Sequence, residues 1–393
     1  MVVGCLLSAC AGLPASAQAL TEPAPSLFSI NTGTYDSSHT NYVRDLPAAA
    51  ALGARWVRFT ADSIHWRGAQ PNWTALDYEV RRARSLHLGV LIALGGAGSA
   101  CSVVPRPADV SGCPPRTPAD LRRYAGFLRA ELLRYRHTVD TYESWLEPNQ
   151  TAFWRPYPDP KQYAALLMVQ HRVLGSVNRR YHLHLRLLVG GPNGFSISPP
   201  SPNGIPVLAF VHQVLIALHG QRVFDGIALQ AYRYPERNSG ELGADWGPAQ
   251  PEWDYVAGTV AASGDQVWRQ MNWPQELAAY EQQFAAAGYP HQPLWLTEFG
   301  WPGVADPAAA PAGQANLYPS EGQQAKWLSE AYGDLLALPF VKAAFVFNLR
   351  NYQPGLATPD PAFFGNYGLL SYRFGRKPAA GVFDGLAAAH RNR

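Results

Sequence analysis

The chain reads as a single (β/α)8 barrel, and three observations lead there. Its 393 residues match one such barrel, which takes about 250 to 400 residues with its insertions. After Pro25, short β-rich runs alternate without a break with helical stretches, eight of each. The loops are also asymmetric. Helix-to-strand connections are short, as at Leu52-Gly53-Ala54, Leu86-His87-Leu88, Leu218-His219-Gly220 and Leu338-Pro339-Phe340. Several strand-to-helix connections are long, at about 95–116, 232–271, 299–318 and 349–377. In a barrel these long loops gather at the C-terminal face, where active sites are built.

In chain order, Leu27–Asn31 precedes a helix near 40–52, Trp56–Thr60 one near 75–87, and Gly89–Leu94 one near 117–136. Thr141–Leu146 leads to 160–179, Leu185–Val189 to 205–219, and Gly226–Ala231 to 273–287. Leu294–Thr297 and Ala343–Asn348 lead to helices near 320–337 and 379–391. An open doubly wound sheet requires neither eight units nor this loop asymmetry. The long loops are rich in Gly, Pro and aromatic residues, which marks them as loops rather than a hidden domain. The expected division is a leader with a short linker over residues 1–24 and one barrel domain over 25–393.

A net charge of +3 gives no broad basic surface for nucleic acid. Met1 to Ala19 reads as an export segment: Val2 to Ala11 is small and apolar, and Ala17-Gln18-Ala19 has the small-x-small form of a cleavage site. Leu7-Ser8-Ala9-Cys10 also resembles a bacterial lipobox, which makes Cys10 a lipidation candidate. Soluble secretion and a membrane-anchored lipoprotein both remain open. No later stretch is long and apolar enough to span a bilayer. Cys101 and Cys113 bracket a Pro-rich loop, and in an exported chain they read as a disulfide, with two free thiols as the alternative.

Two strand ends carry carboxylates. Strand four leads into Glu143-Ser144-Trp145-Leu146-Glu147-Pro148-Asn149, and strand seven ends in Trp295-Leu296-Thr297-Glu298-Phe299-Gly300-Trp301. A carboxylate leaving a barrel core is costly unless it is paired or functional. Glu147 and Glu298 therefore face one another across the mouth, the arrangement that cleavage of a glycosidic bond needs: one group protonates the leaving oxygen, the other attacks the anomeric carbon or activates water.

Here the sequence resembles a family. Trp145-Leu146-Glu147-Pro148-Asn149 is similar to the acid/base motif of clan A retaining glycoside hydrolases, and Leu296-Thr297-Glu298-Phe299-Gly300-Trp301 to their nucleophile motif. Gly190-Gly191-Pro192 and Gly53-Ala54-Arg55-Trp56-Val57-Arg58-Phe59 resemble segments of glycoside hydrolase family 39. The resemblance implies Glu147 as general acid/base, Glu298 as nucleophile, Arg58 as a positive partner of the nucleophile, and Tyr232 as a contact of Glu298 or the sugar. It also has departures. Leu146 stands where the clan usually carries an Asn that meets the sugar 2-hydroxyl, which leaves Asn149 or Asn193 to replace that contact. Gln230 stands where relatives carry His. Phe345-Val346-Phe347-Asn348 stands where strand eight often ends near Trp, and Asn348 joins the candidate substrate contacts.

Other groups have plainer readings. Glu143, on the face of Glu147 by period-two counting, lines the barrel and holds Arg58 in an internal salt bridge. Trp66, Trp246, Trp253, Trp268, Trp273 and Trp301 lie in or beside the long loops, where a ring either stacks on a sugar or packs the loop. Trp66, Trp145 and Trp301 are taken as substrate contacts. His182 and His184 alternate like a metal pair but begin strand five, at the face opposite the site. His65 is read as a hydrogen-bonding residue. No cofactor or metal is expected. The sequence therefore predicts an exported glycosidase that acts with retention on a β-linked glycan. Transfer of the same intermediate to a sugar, or glycan binding without cleavage, are the alternatives.

Overall fold

The computed structural model describes residues 22–32, 42–60, 73–95, 114–193, 204–205, 207–232, 273–306, 319–354 and 365–390. The export segment with Cys10, the Cys101/Cys113 pair, His65, Trp66, Trp246, Trp253 and Trp268 lie outside them. Eight parallel strands close into a barrel in sequence order: β1 Ser29–Asn31, β2 Trp56–Thr60, β3 Gly89–Ala93, β4 Thr141–Glu143, β5 Arg186–Val189, β6 Gly226–Gln230, β7 Leu294–Phe299 and β8 Val341–Val346. The helices between and after them are α1 Tyr42–Ala51, α2 Thr74–Ser85, α3 Pro118–Tyr135, α4 Pro160–Tyr181, α5 Val207–Leu218, α6 Trp273–Ala286, α7 Glu321–Ala337 and α8 Pro378–Ala389. All sixteen predicted elements are present. Among the strands the largest differences are at β4, which ends at Glu143 rather than 146, and at β8, which is shifted two residues toward the N-terminus; β1 begins two residues late and β7 runs two residues further, to Phe299.

The helices show how local sequence sets their boundaries. Thr117 and Asp120 form a reciprocal capping box at the start of α3, and Asp159 accepts from the amides of Lys161 and Gln162 at the start of α4. Each satisfies backbone donors that a helix N-terminus leaves open. Along α4, Tyr163, Leu166, Leu167, Gln170, Val173, Leu174 and Val177 are buried, the i, i+3, i+4, i+7 stripe of a helix lying on a sheet. Each fully buried aliphatic side chain in such a stripe contributes about 1.5–3 kcal/mol of transfer free energy.

Inside the barrel, alternate residues of the strands point at the axis. One layer is apolar: Trp56, Leu91, Leu188, Ala228, Trp295, Ala343 and Phe345 pack together, with Trp56 edge-on to Trp295 at a centroid distance of 5.4 Å. Gly89 is required here, since a Cβ would lie 2.3 Å from the Trp56 ring. Below this layer the entering chain closes the barrel floor. The Trp56 indole N–H donates to the Ala24 carbonyl at 2.9 Å, and the Glu22 carboxyl accepts from the amides of Val90 and Asp140. Burial, and then the neighbouring Asp140, push the Glu22 carboxyl up to about 9. At the same face, His87, His182, His219 and His291 each adopt positive φ in helix-to-strand turns, a conformation His tolerates better than most residues. His182 is thereby the left-handed cap of α4.

Candidate active site

Above the apolar layer the inward positions turn polar. Asn31, Glu143 and Gln230 end their strands, Arg58 and Thr297 lie two residues before the ends of β2 and β7, and all five are buried. The guanidinium of Arg58 joins them. Its Nε donates to Glu143 Oε2 at 2.7 Å, and its Nη1 donates to Glu298 Oε1 at 2.6 Å and to Asn31 Oδ1 at 3.1 Å. Glu143 Oε1 accepts from the Gly191 amide at 2.8 Å and the Thr297 hydroxyl at 3.1 Å. Asn31 Nδ2 donates to the Thr297 carbonyl at 2.8 Å. Burial works against the Arg58 cation, and the charges of Glu143 and Glu298 more than offset it. Asn31 and Thr297 were not expected in this layer, although Asn31 is the last inward residue of β1.

Glu298 reaches this layer through an irregularity in β7. Trp295 and Thr297 face the axis, so strict alternation would aim Glu298 at the helices. The register shifts in the pairing of β7 with both β6 and β8, and such an irregularity re-aims a side chain. Glu298 Oε2 accepts from the Tyr232 hydroxyl at 2.6 Å, and Oε1 from Gln230 Nε2 at 3.2 Å. Glu298 is only 7% exposed. Burial pushes it above its ordinary value, while the Arg58 cation and the Tyr232 and Arg58 hydrogen bonds pull toward the ionised form. Tyr232 is held far above its ordinary value by burial and by Glu298, so it stays a donor.

Glu147 sits on a different kind of support. The chain leaves the ladder after Glu143, so period-two counting does not carry from Glu143 to Glu147. At Glu147 the backbone adopts φ +40, a conformation costing about 1–3 kcal/mol outside glycine that persists where the surrounding structure over-determines it. Its amide donates to the Gly191 carbonyl at 3.2 Å. Gly190 and Gly191 allow this close passage: a Cβ at 190 would lie 2.3 Å from the Trp145 carbonyl, and one at 191 would lie 2.6 Å from the Thr297 hydroxyl. Burial, and then the charge of Glu298, push the Glu147 carboxyl up to about 8, against a hydrogen bond from Asn193 and the more distant Arg58. Leu146 is half-buried in a run from Thr141 to Asn149 that is otherwise buried.

Not every expected substrate contact faces the mouth. The Trp145 ring is fully buried against Tyr124 and Trp154, with its N–H on the Phe153 carbonyl at 2.9 Å. Trp301 is 1% exposed and packs against Trp273, Phe299 and Trp327. Both rings are committed to the wall and offer no face to a sugar. Asn149 is likewise fully buried, its amide bonded to backbone. Asn348, 1% exposed, lies beside the hydroxyl of Tyr352, which also feels the Glu298 charge. Tyr352, half-buried at the mouth, carries no motif by which sequence reasoning would find it.

No protein-family profile matches the chain, and no curated protein matches it by sequence. Solved structures match closely in shape. A family 39 glycoside hydrolase from Bacteroides cellulosilyticus superposes with a TM-score of 0.63 at 19% identity, covering 94% of this chain and 64% of that one. The barrel fold is shared with family 39 glycoside hydrolases. A family 39 enzyme from Xanthomonas axonopodis pv. citri gives 0.61 at 18% identity, over 94% and 68% of the two chains. A family 39 β-xylosidase from Caulobacter crescentus gives 0.58 at 16% identity, over 94% and 73%. The chain thus spans about two thirds of the length of these enzymes.

Proposed function

We propose that the protein is a retaining glycoside hydrolase that cleaves β-glycosidic bonds of an extracellular or cell-envelope glycan. The observation that carries this reading is the unequal environment of two buried carboxyls at one barrel mouth. Glu298 is bound by Arg58, Tyr232 and Gln230, all donors, which suits an ionised nucleophile. Glu147 is buried beside that charge and, among the described residues, feels only the more distant Arg58 as a cation, which suits a proton donor. Environments that push two carboxyls apart assign acid and base roles.

Glu298 attacks the anomeric carbon as Glu147 protonates the leaving oxygen, giving a glycosyl–enzyme. Glu147, now ionised, then takes a proton from the water that releases the sugar. The shape likeness to family 39 enzymes supports the reaction class. The small, apolar N-terminal segment supports export, either soluble or anchored through Cys10.

The test is product sizing of purified protein on a panel of β-linked glycans, with proton NMR of the first-formed anomer. Shortened chains with a β first product are expected. Lengthened chains would make the protein a transglycosylase, no change would make it a binding barrel, and an α first product would exclude the covalent route.

The pH profile is a further expected result. The acid must carry its proton, so kcat/KM falls as pH rises through about 8, where Glu147 ionises. It also falls at low pH as Glu298 becomes protonated. The two limbs belong to the pair rather than to single residues. An alkaline limb near the ordinary carboxylate range would contradict the assignment of Glu147.

A further inference from the structure

Asn149 was expected at the sugar, and the structure gives it another task. Its side-chain amide is saturated. Nδ2 donates to the carbonyls of Asn193 and Ile205 at 3.1 and 3.0 Å, and Oδ1 accepts from the Asn193 amide at 2.8 Å. Its own carbonyl accepts from the Ile205 amide at 2.9 Å. An Asn offers two donors and one acceptor in one plane, and here all three are spent on backbone across the gap between the β4 and β5 exits. Asn193, gripped on both its N–H and its C=O, also pairs with Gln230 in an isolated bridge. Its side chain lies close enough to the Glu147 carboxyl to favour the ionised form, and the Glu147 amide is itself tied to the β5 exit through the Gly191 carbonyl at 3.2 Å. On the other side, the Gln150 amide donates to the Glu147 carbonyl at 3.0 Å, so the turn carrying Asn149 is the turn carrying Glu147.

We infer that Asn149 is a positioning residue for the catalytic acid, acting through Asn193: it locks the β5 exit against the β4 turn, so that the Asn193 amide is held on the Glu147 carboxyl. The inference rests on the proposed role of Glu147. Asn193 favours the ionised form of Glu147, the form produced when the leaving group is protonated and used when water is activated. An Asp at 149 would set a carboxylate against the two carbonyls that the amide now serves. An Ala would leave both carbonyls and the Asn193 amide without this partner. Neither change touches the reacting atoms.

The experiment follows Glu147 directly in the full chain, by carbon-13 NMR of the glutamate carboxyls, with the signal assigned by its loss in Glu147→Gln. Removing the Asn193 donor raises the Glu147 midpoint, so Asn193→Ala is expected to shift it upward. Asn149→Ala is expected to shift it the same way, and the double variant by no more than the larger single shift, since the two residues act in series. On aryl glycosides, kcat/KM of Asn149→Ala should fall about tenfold or more with a poor leaving group, from misplacement of the acid. It should fall much less with a nitrophenolate, which needs little protonation.

An unmoved Glu147 midpoint in Asn149→Ala, beside a moved one in Asn193→Ala, would overturn the inference, as would equal losses on both leaving groups. If Asn149→Ala does not fold, Asn149→Ser keeps one donor and should give a smaller shift in the same direction; no shift in that folded variant would overturn the inference equally. The two readings separate cleanly. A moved midpoint without turnover of any glycan would keep the positioning role and remove the proposed reaction. Turnover with an unmoved midpoint would do the reverse.

Discussion

Replacing Glu298 with Ala or Gln is expected to abolish turnover on every β-glycoside, because on the proposed mechanism no other group forms the glycosyl–enzyme. Glu147→Ala should behave differently. A nitrophenolate leaves without help, so the first step survives and the glycosyl–enzyme accumulates for want of a base. Azide needs no base and should restore turnover of Glu147→Ala, releasing a β-glycosyl azide. The geometry favours this division: Glu298 is fixed by Arg58 and Tyr232 at 2.6 Å each, whereas Glu147 stands on a turn with its proton retained to about pH 8. Azide rescue of Glu298→Ala with an α product would invert the two roles.

The largest effect on stability is expected at Glu143. It is fully buried and accepts from Arg58, from the Gly191 amide and from Thr297. Glu143→Ala removes one of the two carboxylates that share Arg58 and strands three donors. Breaking a buried ion pair in this way costs about 3–5 kcal/mol, read as a lower denaturation midpoint at unchanged slope. The exposed pair Arg376–Asp384, at 2.9 Å with side chains 52% and 43% exposed, is the control: Asp384→Ala should cost less than about 1 kcal/mol. Comparable losses at the two sites would mean that Glu143 is not the hub of the strand ends. Activity should fall as well, since Arg58 would no longer be held from two sides.

Much of this was legible in the sequence because it is carried by local periodicity. The alternation of β-rich runs with helical stretches, and the uneven loops, yield the barrel with boundaries within a few residues. The two carboxylates stand out because they interrupt apolar strand ends. What escaped depends on closure of the barrel. Asn31 and Thr297 meet Arg58 and Glu143 only when β1, β2, β4 and β7 are brought around one axis. The inward aim of Glu298 contradicts the alternation of its own strand and comes from a register shift that only strand pairing reveals. Trp145 and Trp301 were placed at the sugar for a related reason. A Trp beside a site residue is equally compatible with stacking on a ligand and with packing a wall, and neighbours from α3, α6 and α7 decided for the wall at Trp145 and Trp301. Asn149 looked like a free amide near the site because its backbone partners lie 44 and 56 residues away in sequence.

The sharing of one guanidinium by two carboxylates leaves the floor of the pocket with an unbalanced charge. Arg58 contributes one positive charge, Glu143 and Glu298 two negative ones, and a protonated Glu147 none. The uncharged ground state of a sugar gains little from that surplus. On the proposed mechanism the ring takes on the positive charge of an oxocarbenium ion as the glycosidic bond lengthens, the matching negative charge passes to the leaving oxygen and Glu147, and the surplus beneath the ring meets an opposite charge only then. The surplus is carried by groups already held in place by barrel strands, so no dipole has to reorient as the charge develops. If the proposed reaction holds, the polar layer that closes the top of the barrel acts as a counter-ion installed in advance for a species that exists only at the top of the barrier.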